Sequence, residues 1–155
     1  MNEGYEVMNT SPDTAQIAAR IRSLIDERTQ AVRKRDIQSA MTFYADDVRI
    51  FDVVGPLRAV GKDAVKQRLD KWLASFEEIS IYEVAETDIE VSSDVACCSG
   101  LHHIVAKTKD DRNLDMWWRA TDVFVRVDDR WLITHSHTSV PFSPETGLAS
   151  LDLKP

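Results

Sequence analysis

In the first half of the chain the hydrophobic residues recur at helical spacing. From Asp13 to Val32 apolar side chains return every three or four residues, which predicts an amphipathic helix. Asp36 is suited to cap the start of a second, short helix, and residues 48–52 alternate like an extended segment. The irregular sequence GPLRAVG then leads into a third helix. The apolar stripe of this third helix is Val65, Leu69, Trp72 and Phe76.

In the second half the period changes to two. The alternation predicts long strands at 79–91, 94–107, 114–127 and 130–139, separated by the turn-like sequences SSD, KDDRN and DD. Such short connections between consecutive strands favour antiparallel hairpins. Three helices followed by this sheet predict an α+β fold in which the helices cover one face of the sheet. Gly100 inside a strand predicts a bend or bulge, and a strongly curved sheet would leave a conical pocket beneath the helices.

The length of 155 residues predicts a single folded domain. We expect a lead-in without apolar period at residues 1–12, the domain itself at 13–142, and a tail at 143–155. Two early prolines in the segment that leads into the tail, PFSPETGLASLDLKP, indicate that it wraps the surface of the domain or of a neighbour. There is no internal repeat and no linker that would separate a second domain.

The charge balance and the cysteines narrow the class of protein. The chain carries 19 basic and 26 acidic side chains, a net charge of −7, whereas phosphate binding needs clustered Lys and Arg. No apolar stretch approaches the roughly 18 residues of a membrane span, and we expect no signal peptide in the polar N-terminal sequence. The adjacent Cys97 and Cys98 indicate a reducing compartment. We therefore expect a cytoplasmic protein with neither a nucleic-acid nor a membrane partner.

Arg28 and Asp52 are charged residues at positions where the pattern expects apolar ones. Arg28 lies on the apolar stripe of the first helix. It either extends its head to water or forms a cation at a pocket mouth, paired with an acid or holding an anionic ligand. Asp52 shares strand parity with Val48 and Ile50, which makes it either a turn-forming residue or a functional acid. The sequence leaves both questions open.

His102 and Asp122 each share a strand face with apolar residues on two consecutive predicted strands. A hairpin centred close to residue 112 would set them directly opposite each other, with Cβ atoms roughly 4.5–5.5 Å apart. A carboxylate in that place would orient the imidazole and raise its pKa, which makes a histidine a useful acid or base. The alternative is a structural cross-strand pair on the exposed face, and a slip of one residue would separate the two side chains.

The remaining candidate residues are histidines and tryptophans. His135 and His137 share a strand face, a spacing that a metal can use, but no nearby cluster supplies the third ligand, so we expect no metal site. They would instead lie at a subunit interface or form hydrogen bonds near the strand end. Trp72 and Trp118 either belong to the core or wall an apolar ligand. The glycine-rich phosphate loop, the GxSxG elbow and the CxxC motif are all absent from the sequence.

The segments YADDVRIFD, PLRAVGKDAV and RWLITHSHTSVP, in this order of elements, resemble the nuclear transport factor 2-like superfamily. Within it the chain is similar to the SnoaL-like and ketosteroid isomerase-like group, and to the association domain of calcium/calmodulin-dependent kinase II. The likeness covers residues 13 to 142. It implies a cystatin-like cone, in which three N-terminal helices cover a strongly curved antiparallel sheet. It also implies a homodimer or higher homo-oligomer, which we expect to form through the sheet.

The resemblance to the isomerases implies roles for particular residues. They place a proton-shuttling Asp at a strand end after an ADD sequence, which here is Asp52. Their second Asp, protonated and donating to an oxyanion, lies on the penultimate strand and matches Asp122. Their oxyanion-hole tyrosine corresponds to about Arg28, which is a departure from the isomerase pattern, although Tyr44 could face the same pocket.

The resemblance to the kinase association domain concerns the last strands. The pocket arginines of that domain match His102, Asp122 and Thr138 in this sequence. The same matching places Thr134, Ser136 and Thr138 on the pocket face and the two histidines of the HxH sequence on the other. The opposite assignment stays open, because it depends on the length of the preceding turn.

Two functions follow as expectations. The first is an isomerase, cyclase or dehydratase that uses acid–base chemistry, without a cofactor, on a small apolar carbonyl or hydroxyl compound. Asp52 would move the proton, while Asp122 and His102 would stabilise or protonate the oxyanion. The substrate-binding residues would be Arg28, Tyr44, Trp72, Trp118, Ala120 and Thr138. The second is a non-catalytic ligand-binding or oligomerisation module, whose polar pocket groups pair only with one another.

Overall fold

The computed structural model of the protein describes residues 12–155. Its elements in chain order are α1 (Pro12–Arg33), α2 (Ile37–Met41), β1 (Tyr44–Phe51), β2 (Ala59–Val60), α3 (Lys62–Ala74), β3 (Phe76–Ser92), β4 (Val95–Thr108), β5 (Asn113–Val127) and β6 (Arg130–Ser139). The prediction of three helices followed by four long strands is confirmed. The short strand β2 lies within the segment that the pattern left irregular. Of the expected lead-in, residues 1–11 lie outside the described residues.

The strands form one curved, unclosed sheet in the order β2-β1-β6-β5-β4-β3. The predicted hairpins from β3 to β6 are antiparallel, as is the pair of β1 with β2. The expected antiparallel sheet is confirmed for most of its strand pairs, and the one parallel pair joins β1 to β6. The long chain between β1 and β6 supplies the crossover that a parallel pair requires.

The curvature of β3 and β4 depends on a bulge opposite Gly100. Ala85 pairs with Leu101 and Asp88 with Ser99, so two residues of β3 oppose this single glycine. A Cβ atom at Gly100 would lie 3.1 Å from the carbonyl oxygen of Ala85, which is closer than a side chain tolerates comfortably. The absence of a side chain therefore lets the bulged strand approach. The bend or bulge predicted at Gly100 is confirmed.

A second bulge, at Thr134, reverses the alternation along β6. Ile133 pairs with Phe124, but His135 already pairs with Val123, so Thr134 is an extra residue. Before the bulge Trp131 and Ile133 are buried, and after it Ser136 is buried. The question of which face carries the HxH sequence is thereby settled. Both histidine rings lie edge-on to the ring of Phe51, while Ser136 and Thr138 line the cavity beneath the helices.

The helices cover the inner face of the sheet, the face that carries Trp118 and Phe124. Helix α1 packs against β3, and α3 packs against β1. The predicted cap is present, because the Asp36 carboxylate accepts a hydrogen bond from the Ser39 backbone N–H at 3.0 Å. The most deeply buried large side chains come from both layers and are Ile21, Val48, Ile104, Phe124 and Ile133.

Arg35 contacts the backbone where α3 ends and β3 begins. Its guanidinium donates to the carbonyl oxygens of Leu73, Phe76 and Glu77 at 3.1–3.2 Å. These carbonyls lie at the end of the helix or just after it, where backbone acceptors need partners from outside the helix. The third helix is shorter than its predicted apolar stripe, and Phe76 is the first residue of a strand.

The tail returns to the surface of the domain, as its prolines predict. Phe142 forms a bridge with Ala149, and the Ser150 N–H donates to the carbonyl oxygen of Pro141. Lys154 forms an ion pair with Asp115 on the outer face of the sheet, opposite the helices. None of the helices in residues 12–155 has the length and apolar character needed to cross a membrane.

Candidate functional site

A cavity of about 880 Å³ lies between the helices and the inner face of the sheet. Its volume falls in the range of about 300–1,000 Å³ that is typical of small-molecule sites. Most of the predicted site residues line it, namely Arg28, Tyr44, Asp52, Trp72, His102, Trp118 and Thr138. Asp122 and Ala120 are buried but do not line the cavity.

Arg28 and Asp122 form a buried ion pair on the inner wall. The Arg28 Nη2 lies 3.1 Å from Oδ2 of Asp122, and its Nη1 donates to the Tyr44 hydroxyl at 3.0 Å. Although burial disfavours the charged guanidinium, the electrostatic attraction of Tyr44 and Asp122 keeps the pKa of Arg28 above its ordinary value. Of the two interpretations of Arg28, pairing with an acid is confirmed, but the buried guanidinium lies at the inner wall and not at the pocket mouth. Within residues 12–155, Oδ1 of Asp122 has no hydrogen-bond partner.

Asp52 is held by three donors at the edge of the cavity. Its Oδ2 lies 2.6 Å from Nη2 of Arg68, and its Oδ1 accepts from the Thr138 hydroxyl at 2.9 Å and the Val53 N–H at 2.7 Å. Arg68 also donates to the carbonyl oxygens of Val54 and Gly55, so it fastens the segment after β1 to α3. Both oxygens of Asp52 are therefore engaged.

Sequence reasoning missed Arg68. The only available signal was a basic residue three positions after Val65, at the edge of the apolar stripe of α3. That signal is weak, because a basic residue at the edge of a stripe usually extends to solvent.

The direct pairing of His102 with Asp122 is wrong. The loop between β4 and β5 closes with a hydrogen bond from the Thr108 N–H to the Arg112 carbonyl, and Lys107 pairs with Asn113. The hairpin is therefore centred on residue 110, two residues before the expected centre. Asp122 consequently faces Cys98, and His102 faces Trp118. Because the displacement is an even number of residues, both side chains stay on the inner face.

His102 lies among aromatic rings at the cavity wall. Its ring centroid is 5.4 Å from that of Trp118 and 6.3 Å from that of Tyr82. Burial, and then the charge of Arg28, lower the pKa of His102 to about 4, while Asp122 opposes this only in part. The direction is opposite to the predicted one. The ring makes no hydrogen bond with any residue from 12 to 155 in this structure, so a neutral imidazole faces the cavity with free nitrogens.

Tyr82 is a second free polar group of the lining that the sequence did not single out. Burial raises the pKa of Tyr82 to about 12, so the phenol keeps its proton and remains a donor. Its hydroxyl has no hydrogen-bond partner in the described part of the chain. The inward parity of this residue on β3 was an available signal. The rest of the wall nearby is apolar or aromatic and includes Trp72, whose ring centroid lies 5.9 Å from that of Tyr82.

Clusters of metal-ligating residues and the cysteines are the remaining candidates for chemistry. Over residues 12–155 there is no group of three or more His, Cys, Asp or Glu side chains that could hold a metal ion. Burial raises the pKa of Cys98 to about 12, which leaves its thiol protonated and a poor nucleophile.

Comparisons with known proteins agree with this architecture. The family model described as a SnoaL-like domain matches residues 21–143. A protein of unknown function from Pseudomonas putida KT2440, described as NTF2-like, is 32% identical, with a TM-score of 0.82 over 91% of this chain and 98% of its own. No curated protein matches the chain.

Two more distant structures share the fold alone. A candidate scytalone dehydratase from Novosphingobium aromaticivorans DSM 12444 is 15% identical, with a TM-score of 0.75 over 91% of this chain and 95% of its own. A candidate calcium/calmodulin-dependent protein kinase II association domain from Xanthomonas campestris is 16% identical, with a TM-score of 0.70 over 94% of this chain and 97% of its own.

Proposed function

Because the chain belongs to the family of SnoaL-like domains, we propose that its cavity binds a small, largely apolar carbonyl or hydroxyl compound and catalyses an acid–base reaction on it without a cofactor. The reaction would be a dehydration, an isomerisation or a cyclisation. The observation that carries the proposal is the neutral His102 imidazole, which lines the cavity and has no hydrogen-bond partner in residues 12–155. The name of the candidate scytalone dehydratase agrees with the first of these reactions.

Dehydration of a β-hydroxy ketone illustrates the proposed chemistry. The neutral imidazole of His102 takes a proton from the carbon beside the carbonyl, and the electron pair moves to form an enolate. The Tyr82 phenol, which keeps its proton, donates a hydrogen bond to the enolate oxygen. The imidazolium then protonates the hydroxyl, which leaves as water while the carbon–carbon double bond forms. With a pKa near 4, the imidazolium of His102 is a stronger acid than an ordinary histidine side chain, which suits this last step.

The two aspartates have supporting roles in this proposal, in place of the proton transfer that the resemblance implies. Asp52 is already bonded through both oxygens and would position Arg68 and the segment after β1. Asp122 would balance the charge of Arg28. Arg28 lines the cavity, whereas Asp122 does not. The predicted catalytic roles of both residues are therefore reassigned here to His102 and Tyr82.

A second candidate function is ligand binding without catalysis. It is favoured by one observation, which is that two charged side chains of the cavity lining, Arg28 and Asp52, are each paired with another residue of the protein. Arg28 is bound to Asp122, and Asp52 to Arg68. The similarity to a candidate kinase association domain fits this alternative. The expected homodimer or higher homo-oligomer also stays a prediction, which the sedimentation mass would test.

Proton exchange provides a test that does not require the natural substrate. Cyclic ketones and β-hydroxy ketones would be incubated with the protein in D₂O, and NMR would follow deuterium uptake beside the carbonyl and loss of water. We expect His102→Gln to lower the rate by about 10²–10⁴-fold, the usual contribution of a well-placed base. The matched control is His103→Gln, the neighbouring imidazole on the outer face, which should retain the activity. Ligands that bind without exchange or turnover would favour the second candidate function.

A further inference from the structure

The cavity carries an excess of positive charge where it opens to solvent. Arg58, Arg68 and Lys71 contribute to its lining, and the only acid in the lining is Asp52, which is already paired with Arg68. Arg58 and Lys71 are exposed and form no ion pair with any residue in the described range 12–155. This is notable in a chain whose net charge is −7, because acidic partners are abundant elsewhere on its surface.

The inner end of the cavity has no such excess. The charge of Arg28 is balanced by Asp122 at 3.1 Å. His102 is neutral above a pH of about 4, and Tyr82 is neutral below a pH of about 12. Between the two ends the wall is apolar and includes Leu69, Trp72 and Met116. Charge therefore changes along the cavity, from cationic at the mouth to neutral and polar at the inner end.

We infer that the ligand of this cavity is an amphipathic organic carboxylate. Its carboxylate would be held at the mouth by Arg58 and Lys71, which both line the cavity and can donate charge-assisted hydrogen bonds. An aromatic or alicyclic body would pack against the apolar wall. A carbonyl or hydroxyl group would reach His102 and Tyr82, and this last element alone rests on the proposed function.

Matched acids and amides test the inference directly. The probes are 2-naphthoic acid, 4-phenylbutyric acid and cyclohexanecarboxylic acid, each compared with its neutral primary amide by calorimetry. We expect the acids to bind at least about 10-fold more tightly, since a carboxylate forms stronger, charge-assisted hydrogen bonds with cationic side chains than a neutral amide does. Added salt should weaken the binding of the acids and leave the binding of the amides unchanged.

Charge-removing variants locate the effect. Arg58→Gln combined with Lys71→Gln should reduce the preference for acids by about 10-fold, and because both side chains are exposed we expect the protein to fold. The matched control is Lys66→Gln, on the same helix but outside the cavity lining, which should keep the full preference. Equal binding of acids and amides, binding by none of the acids, or tighter binding of inorganic phosphate would overturn the inference.

Separate experimental results would refute this inference and the proposed function. The variant His102→Gln should lose proton exchange and still prefer acids over amides. A wild-type protein that binds acids selectively but catalyses no exchange would retain the carboxylate inference and refute catalysis. A protein that processes neutral ketones as efficiently as their carboxylate analogues would support catalysis and refute the carboxylate inference.

Discussion

Two adjacent histidines of β4 differ in their surroundings more than in their burial. His102 is 6% exposed and His103 is 8% exposed. On the inner face His102 contacts aromatic rings, and it has no hydrogen-bond partner in the described part of the chain. On the outer face His103 stacks on Trp117, with ring centroids 4.1 Å apart and planes at 7°. Burial alone therefore does not decide what an imidazole can do.

The difference lies in the acceptors that each face provides. The ring nitrogens of His103 lie 2.8 Å from Oε1 of Glu83 and 2.8 Å from Oδ1 of Asp115. Carboxylates only accept, so both contacts are hydrogen bonds only when the ring carries two N–H groups. First Lys154 and then His103 lower the pKa of Asp115. Both ring nitrogens of His103 are thus occupied by neighbouring side chains, whereas the ring nitrogens of His102 are available to a ligand.

The largest expected effect comes from breaking the charge balance of the inner face. Arg28→Met would leave the Asp122 carboxylate buried without its partner, and we expect a loss of about 3–5 kcal/mol in the free energy of unfolding. Arg28→Met combined with Asp122→Leu removes both charges and should recover most of that loss. Urea denaturation of both variants measures the difference. A single variant within about 1 kcal/mol of the wild type would contradict the importance of the pair.

The next effect concerns the pH dependence of stability. The pKa of His102 falls from 6.5 to about 4 on folding, so between these values the unfolded state binds the proton that the native state excludes. The stabilising contribution of the neutral ring is complete above pH 6.5 and is lost as the pH falls toward 4. The loss would reach up to about 3 kcal/mol, at 1.36 kcal/mol per pKa unit.

Urea denaturation between pH 4 and pH 7 measures the slope of the free energy of unfolding against pH. His102→Gln should flatten it, whatever the variant does to stability at neutral pH. Ser136→Ala, which removes a buried hydroxyl from the same cavity but no titrating group, is the matched control and should keep the slope. An unchanged slope in His102→Gln would show that another group controls the acid sensitivity.

The periodic parts of the fold were predictable, because alternation and helical spacing report burial directly. The inward positions of Trp118 and Phe124 follow from a period of two, and the Asp36 cap follows from its own chemistry. The prediction from periodicity fails where a bulge adds one residue to a strand. The bulge at Thr134 moves Ser136 and Thr138 onto the inner face, although strict alternation from Trp131 predicts the opposite.

The candidate site was less predictable, because it depends on contacts between elements distant in sequence. The position of the hairpin turn decides whether His102 faces Asp122 or Trp118, and no local pattern in KDDRN specifies that centre to within two residues. The partner of Asp52 comes from α3, and the partner of Arg28 from β5. Charged residues on apolar faces could be recognised from the sequence, whereas their pairing required the packed structure.

The smallest expected effect comes from the outer face. His103→Leu removes the ring between Glu83 and Asp115, but both carboxylates are half-exposed and water can solvate them. We therefore expect a loss of only about 1 kcal/mol in the free energy of unfolding, the usual net contribution of a hydrogen-bonded group. The binding of 2-naphthoic acid should not change, because His103 lies on the face opposite the cavity. Lys154→Gln, which leaves His103 in place and removes a neighbouring exposed charge, should change stability less. Loss of ligand binding in His103→Leu would mean that the two faces of β4 are coupled. The contrast between His103, bound to its neighbours, and His102, free to bind a ligand, would then be incorrect.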